Sequence, residues 1–279
     1  MTEEDLPSAM RLNTLAGWNQ TAADWRRFLD SRPAGCFVVE VASQVVGTVA
    51  TICYENRFAW IGMVLVDPDF RNRGIGTQLL HKAIEHLDRL GIATMKLDAT
   101  PLGKPIYSKL GFVSEYEIER WILKRPAAAE TAQPASPHPN LDERQIARIY
   151  ELDGRLFGAD RSSLLHSLHQ CAPELTCAVW KEEMSKGYAF GRKGLFADHF
   201  CPCVANDPQT AEELLQSFLR RSSRESIIVD RLLSNLAFLD SLTNAGFLYS
   251  RPLTRMVRGP NAHPGRPEWI CAVLGPEFG

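Results

Sequence analysis

One short stretch limits what this chain can fold into more than any other. Residues 64–80 read VLVDPDFRNRGIGTQLL, an apolar run followed by a proline, two arginines and two glycines that open an amphipathic segment. This order predicts a strand, a tight loop and then a helix. The first N–H groups of a helix have no partner within it and carry the positive end of its dipole, so the loop is suited to hold an anion.

The residues of this loop favour a phosphate in particular. Gly74 and Gly76 lack the side chains that would keep a phosphate away from the backbone. Arg71 and Arg73 add charged hydrogen-bond donors. A glycine pair before a helix is weak evidence alone, but here the strand, Pro68, the arginines and the helix occur in the order that a phosphate-binding loop needs.

The spacing V-x-P-x-x-R-x-x-G-x-G resembles the acyl-CoA pyrophosphate loop of the GNAT superfamily of N-acetyltransferases. The matching residues are Val66, Pro68, Arg71, Gly74 and Gly76. The resemblance implies acetyl-CoA as the co-substrate, with one set of residues pairing with the pantetheine arm and a second set cradling the pyrophosphate. These sets are Val64, Leu65 and Val66 for the arm, and Arg71, Asn72, Arg73, Gly74, Ile75, Gly76 and Thr77 for the pyrophosphate.

The apolar spacing around the loop predicts an α/β domain. The elements run as two helices, three strands, a helix, a strand and a short helix, at residues 3–16, 21 onward, 36–41, 45–54, 58–66, 74–90, 94–99 and 105–111. Short polar turns indicate that the three strands form an antiparallel meander, and the crossover helix makes the fourth strand a parallel neighbour of the third. We therefore expect a mixed, mainly antiparallel sheet with helices on both faces, as in GNAT-like folds.

A second copy of this order follows a segment rich in proline and alanine. Its predicted elements lie at residues 141–157, 162–171, 176–180, 186–191, 195–205, 208–222, a strand ending at 230, and 235–245. We therefore predict tandem domains at residues 1–125 and 140–279, joined by a linker at 126–139.

The two copies differ at the loop. Where the first has RNRGIG, residues 206–211 read NDPQTA, and Asp207 brings negative charge to the place of the pyrophosphate. Leu242 stands where the first copy has Tyr107. We therefore expect a degenerate C-terminal GNAT-like domain that does not bind the cofactor, and that closes one side of the acceptor pocket or fixes the arrangement of the halves.

Two residues are candidates for catalysis. Tyr107, with Gly111 and Phe112, matches the family's Y-x-x-x-G-F segment, and a phenol with an ordinary pKa near 10 is a suitable acid for a leaving thiolate. The alternative is a tyrosine that only packs its ring. Asp98, near the end of the parallel strand, is a candidate base for the ammonium group of the acceptor. The alternative for Asp98 is a cap on the following loop, which the equivalent Asp230 favours, while Glu55 at the end of the second strand is a weaker candidate base and a water relay stays open.

Substrate contacts are expected from two further places. Trp18 and Asn19 lie between the first two helices, a pair that overhangs the acceptor pocket in GNAT-like folds. The alternative for Trp18 is that it anchors the helices to the sheet. Asp198 and His199, on the third strand of the second copy, are candidates at the cleft between domains, and the alternative is an ordinary exposed strand pair.

Composition argues against several other classes of protein. A net charge of −2 without a basic stripe argues against nucleic-acid binding, and no apolar run has the roughly 18 residues of a membrane span. The acidic start and the seven cysteines, an odd number within apolar segments, predict a cytoplasmic protein with reduced thiols. No histidine or cysteine spacing predicts a metal site.

The sequence thus predicts an acetyl-CoA-dependent N-acetyltransferase that acts on a primary amine of a small molecule or peptide, by direct attack in a ternary complex. The alternative is a non-enzymatic acyl-CoA sensor or interaction module that kept the loop. Transfer of a longer acyl chain, or to a hydroxyl, stays open, as do the identity of the amine acceptor and the oligomeric state.

Overall fold

A computed structural model describes residues 1–126 and 141–279. Its helices are α1 (Leu6–Leu15), α2 (Ala22–Ser31), α3 (Ile75–Arg89), α4 (Lys104–Lys109), α5 (Glu143–Phe157), α6 (Ser162–Cys171), α7 (Pro208–Arg221) and α8 (Leu236–Asn244). Its strands are β1 (Cys36–Val41), β2 (Gln44–Tyr54), β3 (Phe58–Val66), β4 (Met95–Ala99), β5 (Val113–Lys124), β6 (Cys177–Lys181), β7 (Met184–Lys193), β8 (Asp198–Ala205), β9 (Ser226–Leu232), β10 (Leu248–Arg258) and β11 (Ile270–Ala272). The predicted linker, residues 126–139, lies outside the described residues from residue 127 onward. Among the described helices, none combines the length and the apolar character needed to cross a membrane.

Most of the predicted helices and strands are confirmed. β1 and β3 have the predicted bounds, and α2 begins after Thr21, which forms the predicted capping box with Asp24. The predicted fold class, mixed α/β with mainly antiparallel pairing, is also confirmed. Three strands were not predicted, namely β5, β10 and β11.

The chain divides into two compact units that are not the contiguous segments 1–125 and 140–279. The first unit contains Met1–Glu115, Thr254–His263 and Pro276–Gly279. The second unit contains Tyr116–Leu253 and Pro264–Gly275. The difference arises from the unpredicted strands, because each half of the sequence gives a strand to the unit that the other half mainly builds.

The sheet of the first unit consists of β1, β2, β3, β4 and the end of β10, in that order. Only β3 and β4 pair in parallel, at Ala59↔Met95 and Trp60↔Lys96. Helix α3 packs on one face, where Ala59 and Ile61 belong to the same core cluster as the apolar residues of α3. Side chains alternate along a strand, so Trp60 and Gly62 lie on the other face, which we call the α1/α2 face because those helices contact β2.

The second unit repeats this arrangement with one difference. Strands β6, β7 and β8 form an antiparallel meander, β8 pairs in parallel with β9, and β5 adds to the far edge of β9. The short strand β11 also lies between β8 and β9, where Ala272 pairs with Cys203 on one side and Arg231 on the other. The core of this unit includes the thiol of Cys203, which is 0% exposed.

Candidate functional site

The predicted phosphate loop connects β3 to α3 and lies at the surface of the first unit. After Val66 the chain forms a short helical turn at Pro68–Phe70, and Asn72 and Gly74 then adopt positive φ angles of 61° and 79°. Left-handed residues of this kind are found in backbone loops that form concave anion sites. The first bond within the helix runs from the N–H of Gln78 to the carbonyl of Gly74, so the preceding N–H groups are at the uncapped start of α3.

The two glycines of the loop have different structural needs. Gly74 requires its glycine for the backbone, because its φ of 79° is one that side chains disfavour. Gly76 does not: a Cβ there would lie 3.6 Å from Val66 Cγ2, an ordinary van der Waals contact. Packing within the protein therefore does not require a glycine at position 76, and the prediction that a phosphate approaches the backbone there stays open.

Both arginines of the loop are exposed but their side chains are held in place. The Nε of Arg71 donates to the carbonyl of Val66 at 3.2 Å. Arg73 donates to the carbonyl of Asp69 at 3.0 Å, and its guanidinium lies 5.0 Å from the ring centre of Phe70. These contacts keep two positive charges beside the start of α3, where an anion is also favoured by the helix dipole.

An ion pair that the sequence analysis missed fixes the start of the loop. Arg11 of α1 donates to a carboxylate oxygen of Asp67 at 2.6 Å, and the other carboxylate oxygen accepts from the N–H of Asp69 at 3.1 Å. The hydrogen bond from Arg11 lowers the pKa of Asp67. An aspartate directly before Pro68 is a recognisable turn signal, whereas nothing in the sequence pairs it with Arg11.

Beside the loop, the parallel strands β3 and β4 separate. Their pairing ends at Trp60↔Lys96, although β3 continues to Val66, and among the described residues no pairing joins them beyond that point. A β-bulge in β3 marks the same region, with Met63 at a φ of 55° and its carbonyl accepting from Thr48 Oγ1 at 2.8 Å. The resulting gap, bordered by residues 61–66, can accept an extended molecule as an added strand.

Tyr107 lies on α4, on the same face of the sheet as α3. Its ring packs half-buried against the core cluster that also receives Val64 and Val66, with its centre 6.2 Å from that of Phe112. Burial raises the pKa of Tyr107 to about 12, so the phenol keeps its proton at neutral pH. The ring therefore packs, as the alternative interpretation expects, and the role of the phenol as a proton donor stays a prediction.

The carboxylate of Asp98 lies in a buried ion pair, whereas a general base needs a carboxylate that the substrate can reach. Both of its carboxylate oxygens accept hydrogen bonds from Arg255 of β10, at 2.8 and 2.9 Å, and the side chain is 0% exposed. Arg255 in turn lies 4.5 Å from the ring centre of Trp60. This geometry does not support the prediction that Asp98 is a base, since its lone pairs already bind a buried cation.

The loop between α1 and α2 holds the predicted substrate residues Trp18 and Asn19. Trp18 is half-buried and Asn19 is 7% exposed. The fully buried side chain of Asn13, which the sequence analysis did not single out, donates to the carbonyls of Trp18 and Gln20 at 3.1 and 2.9 Å. The loop therefore has a fixed path, and a substrate role for Trp18 and Asn19 stays a prediction.

The equivalent region of the second unit has no loop of this kind. Only Asn206 and Asp207 separate β8 from α7, and Asp207 caps that helix itself by accepting from the N–H of Thr210 at 2.7 Å. The place equivalent to the gap between β3 and β4 is taken by β11.

The side chains of Asp198 and His199 are buried inside the second unit, at 3% and 1% exposure. Asp198 accepts a hydrogen bond from Ser222 at 2.8 Å, and His199 contacts Arg192 at 3.1 Å and Asp230 at 3.3 Å. Neither is the exposed residue of an ordinary strand pair, and this geometry gives no support to a substrate role.

Comparisons with known proteins agree with this geometry. A family model described as "Acetyltransferase (GNAT) domain" matches residues 32–114, and a second model of the same description matches residues 149–271. Together the two matches span more than half of the chain. The first covers the phosphate loop and Tyr107, and the second covers the unit without such a loop.

Three relatives match nearly the whole chain. Holothin acyltransferase of a Pseudoalteromonas species is 23% identical over 94% of this chain and 87% of its own length. A proposed acetyltransferase of Pyrococcus horikoshii has a TM-score of 0.78 and 21% identity, covering 100% of this chain and 94% of its own. A tandem GNAT protein from the clavulanic acid biosynthesis pathway has a TM-score of 0.60 and 16% identity, covering 93% and 96%. At such identities the two structures show a shared fold.

Proposed function

Because the chain belongs to the GNAT family of N-acyltransferases and contains two tandem GNAT domains, we propose that it transfers acetyl from acetyl-CoA to a primary amine of a small molecule or peptide. The amine attacks the thioester directly while both substrates are bound. The observation that carries this proposal is the loop at the start of α3, where Gly76 leaves the backbone open although the fold has room for a side chain there.

The cofactor is held by the loop and by β3. The N–H groups of residues 72–77, with the side chains of Arg71 and Arg73, bind the pyrophosphate. The backbone of Val64, Leu65 and Val66 pairs with the pantetheine arm as a strand in the gap beside β4. Backbone N–H groups at this gap also polarise the thioester carbonyl, which stabilises the negative charge that develops on its oxygen during attack.

Tyr107 gives the departing thiolate of CoA its proton. The tyrosinate left behind recovers the proton that the amine nitrogen loses as the C–N bond forms and the C–S bond breaks. Because burial keeps the phenol protonated, the proton is present at every turnover at neutral pH. Asp98 acts in this proposal as a positioning residue, since its ion pair with Arg255 fixes β10 beside β4 and Arg255 lies against Trp60 at the end of the gap.

The second unit does not bind acetyl-CoA in this proposal. Asp207 occupies the start of α7 with a carboxylate, which repels a pyrophosphate and already satisfies the helix N-terminus. Strand β11 fills the gap between β8 and β9, so a pantetheine arm has no free strand edges to pair with. Degeneracy thus rests on a blocked gap as well as on the missing glycines.

Calorimetric titration with acetyl-CoA and a CoA-release assay test these proposals together. We expect one acetyl-CoA per chain, and CoA release with at least one member of a panel of amino acids, polyamines, aminoglycosides and peptide N-termini. Two equivalents per chain would contradict the degeneracy of the second unit. Binding without CoA release on any amine would favour the sensor over the enzyme.

A further inference from the structure

The phenol of Tyr107 is positioned by the contacts of its ring. Within residues 1–126 and 141–279, no side chain or backbone group forms a hydrogen bond with its hydroxyl. The ring itself packs against the core cluster below α3 and lies edge-on to Phe112, with centres 6.2 Å apart. The place of the hydroxyl therefore depends on every surface that the ring touches.

One of these surfaces is Gly103, which directly precedes α4. The N–H of Tyr107 donates to the carbonyl of Gly103 at 3.2 Å, and helical side chains lean back over the residue four positions earlier. A Cβ at Gly103 would lie 2.8 Å from Cε2 of Tyr107 and 3.5 Å from its Cζ. Because real Cβ atoms essentially never approach another atom within 3.0 Å, the ring takes the place that a side chain at position 103 would need.

The backbone gives no reason for a glycine at position 103. Its φ of −80° and ψ of −32° are ordinary helical angles, which alanine also adopts. Alanine would lose less backbone entropy on folding than glycine does. The physical reason for Gly103 is therefore the ring of Tyr107 that lies against it.

The turn that contains Gly103 is held firmly in place. Its N–H donates to both the carbonyl and the Oγ1 of Thr100, at 3.0 and 3.2 Å, and the N–H of Lys104 donates to the same carbonyl at 2.9 Å. Pro101 and Pro105 restrict the backbone on either side. A side chain introduced at position 103 would therefore displace the half-buried ring rather than the turn.

We propose that Gly103 is a positioning residue, which holds the phenol of Tyr107 beside the departing thiolate by supporting its ring on a surface without a side chain. This inference rests on the proposed function, because it requires Tyr107 to be the acid. In Gly103→Ala, Cε2 of the ring must retreat from 2.8 Å to an ordinary contact of at least 3.4 Å, and the hydroxyl moves with it. Misplacement of a reacting group on this scale slows a reaction strongly.

A double-substitution cycle tests the inference. Gly103→Ala should lower kcat about tenfold, while the affinity for acetyl-CoA changes less than about twofold. In a Tyr107→Phe background there is no phenol proton to misplace, so the same substitution should change kcat less than about twofold. Gly154→Ala in α5, where a Cβ would make only ordinary contacts of 3.7 Å or more, is the matched control and should keep the wild-type kcat.

The outcomes of the kinetics separate this inference from the proposed function. A wild-type chain that releases no CoA with any amine of the panel, or unaltered turnover in Tyr107→Phe, refutes the proposed acid and this inference with it. If Tyr107→Phe is slow, but Gly103→Ala keeps the wild-type kcat or slows both backgrounds equally, the role of Gly103 is overturned while Tyr107 stands as the acid.

Thermal unfolding verifies the fold of each variant, and Thr100 supplies a second test if Gly103→Ala does not fold. Thr100→Val removes the Oγ1 that accepts from the N–H of Gly103, so it loosens the same turn. We expect kcat to fall about threefold in Thr100→Val and to be retained in Thr100→Ser, which keeps the hydroxyl. An unchanged kcat in Thr100→Val would overturn the role of the turn in positioning Tyr107.

Discussion

At the scale of single residues, the two loop glycines separate what folding needs from what binding needs. Gly74 has a backbone conformation that only glycine adopts without strain, whereas Gly76 has an ordinary neighbour at 3.6 Å from a built Cβ. A glycine in a helix costs stability relative to alanine, because it loses more backbone entropy on folding. A position where the fold would gain from a side chain is therefore informative about a ligand.

Substituting each glycine by alanine should have opposite effects on stability. We expect Gly76→Ala to be neutral or up to about 1 kcal/mol more stable, yet to weaken acetyl-CoA binding at least about tenfold, because the methyl group meets the pyrophosphate. Gly74→Ala should destabilise the chain by about 1 to 2 kcal/mol, because its φ is positive. Urea unfolding and calorimetry measure the two effects. Full acetyl-CoA affinity in Gly76→Ala would contradict the proposed binding of the pyrophosphate at the start of α3.

Tyr107→Phe should lower kcat at least about tenfold and leave the affinity for acetyl-CoA nearly unchanged. The substitution removes the proton donor but keeps the ring that packs near Phe112. Tyr249→Phe, at a residue that is 50% exposed, is the control for loss of a phenol elsewhere. Steady-state kinetics with a responsive amine measures the effect, and unaltered turnover would rule out the assignment.

The raised pKa of Tyr107 leads to a second prediction, which concerns the pH dependence of kcat. Burial raises the pKa of Tyr107 from 10.0 to about 12. The fold therefore favours the protonated phenol, which keeps its proton as the pH rises through about 10, the ordinary pKa of a tyrosine. The pH profile of kcat should therefore show no fall due to this group below about pH 11. A basic limb near pH 10 that disappears in Tyr107→Phe would contradict this prediction.

At the scale of elements, strands β10 and β5, which each half of the sequence gives to the unit that the other half mainly builds, are both fixed by a buried Arg–Asp ion pair. Arg255 of β10 lies opposite Asp98 of β4, and Arg120 of β5 lies opposite Asp230 of β9, with both pairs forming two hydrogen bonds. Although burial disfavours its ionised form, the neighbouring Arg120 holds the pKa of Asp230 well below its ordinary range. An aspartate stands at both places because the two copies of the fold have the same ion pair, which joins the added strand to its neighbour.

Asp98→Asn tests this structural assignment against a catalytic one. Because Arg255 would remain buried without its partner, we expect a loss of about 3 to 5 kcal/mol in the free energy of unfolding. Asp88→Asn, in an exposed pair with Arg258, should cost less than about 1 kcal/mol. Urea unfolding measures both free energies. An intact fold in Asp98→Asn, together with loss of the acidic limb of the pH profile of kcat/KM, would instead support Asp98 as the general base.

The elements that the sequence predicted are those whose cause is local. The phosphate loop, the meander and the amphipathic helices follow from residue spacing, so β3 and α3 were found within a residue of their bounds. Strands β5, β10 and β11 were not predicted, and their partners lie far along the chain, as with Thr254↔Ala99. The Asp98 pair depends on β10, and residues 276–279 bind Tyr54 and Trp60 from the far end of the chain, so neither contact carries a signal in local spacing.

At the scale of the whole molecule, neither half of the sequence contains a complete unit. The first unit takes Thr254–His263 and Pro276–Gly279 from the second half of the chain. Within it, Arg255 neutralises the buried Asp98, and the main chain of residues 276–279 accepts the hydrogen bonds of Tyr54 and Trp60. The first unit is therefore completed by segments that the second half of the chain carries.

An isolated fragment 1–125 should therefore be neither stably folded nor active. It would leave β4 with an open edge, the Asp98 carboxylate buried without its cation, and Trp60 without its acceptor. Fragments 1–126 and 141–279 expressed together are the matched control, because they supply every segment of the first unit and should recover CoA release with a responsive amine. Circular dichroism, thermal unfolding and the CoA-release assay compare the two samples. Full activity of fragment 1–125 alone would mean that the first unit does not depend on the segments that the second half of the chain gives to it.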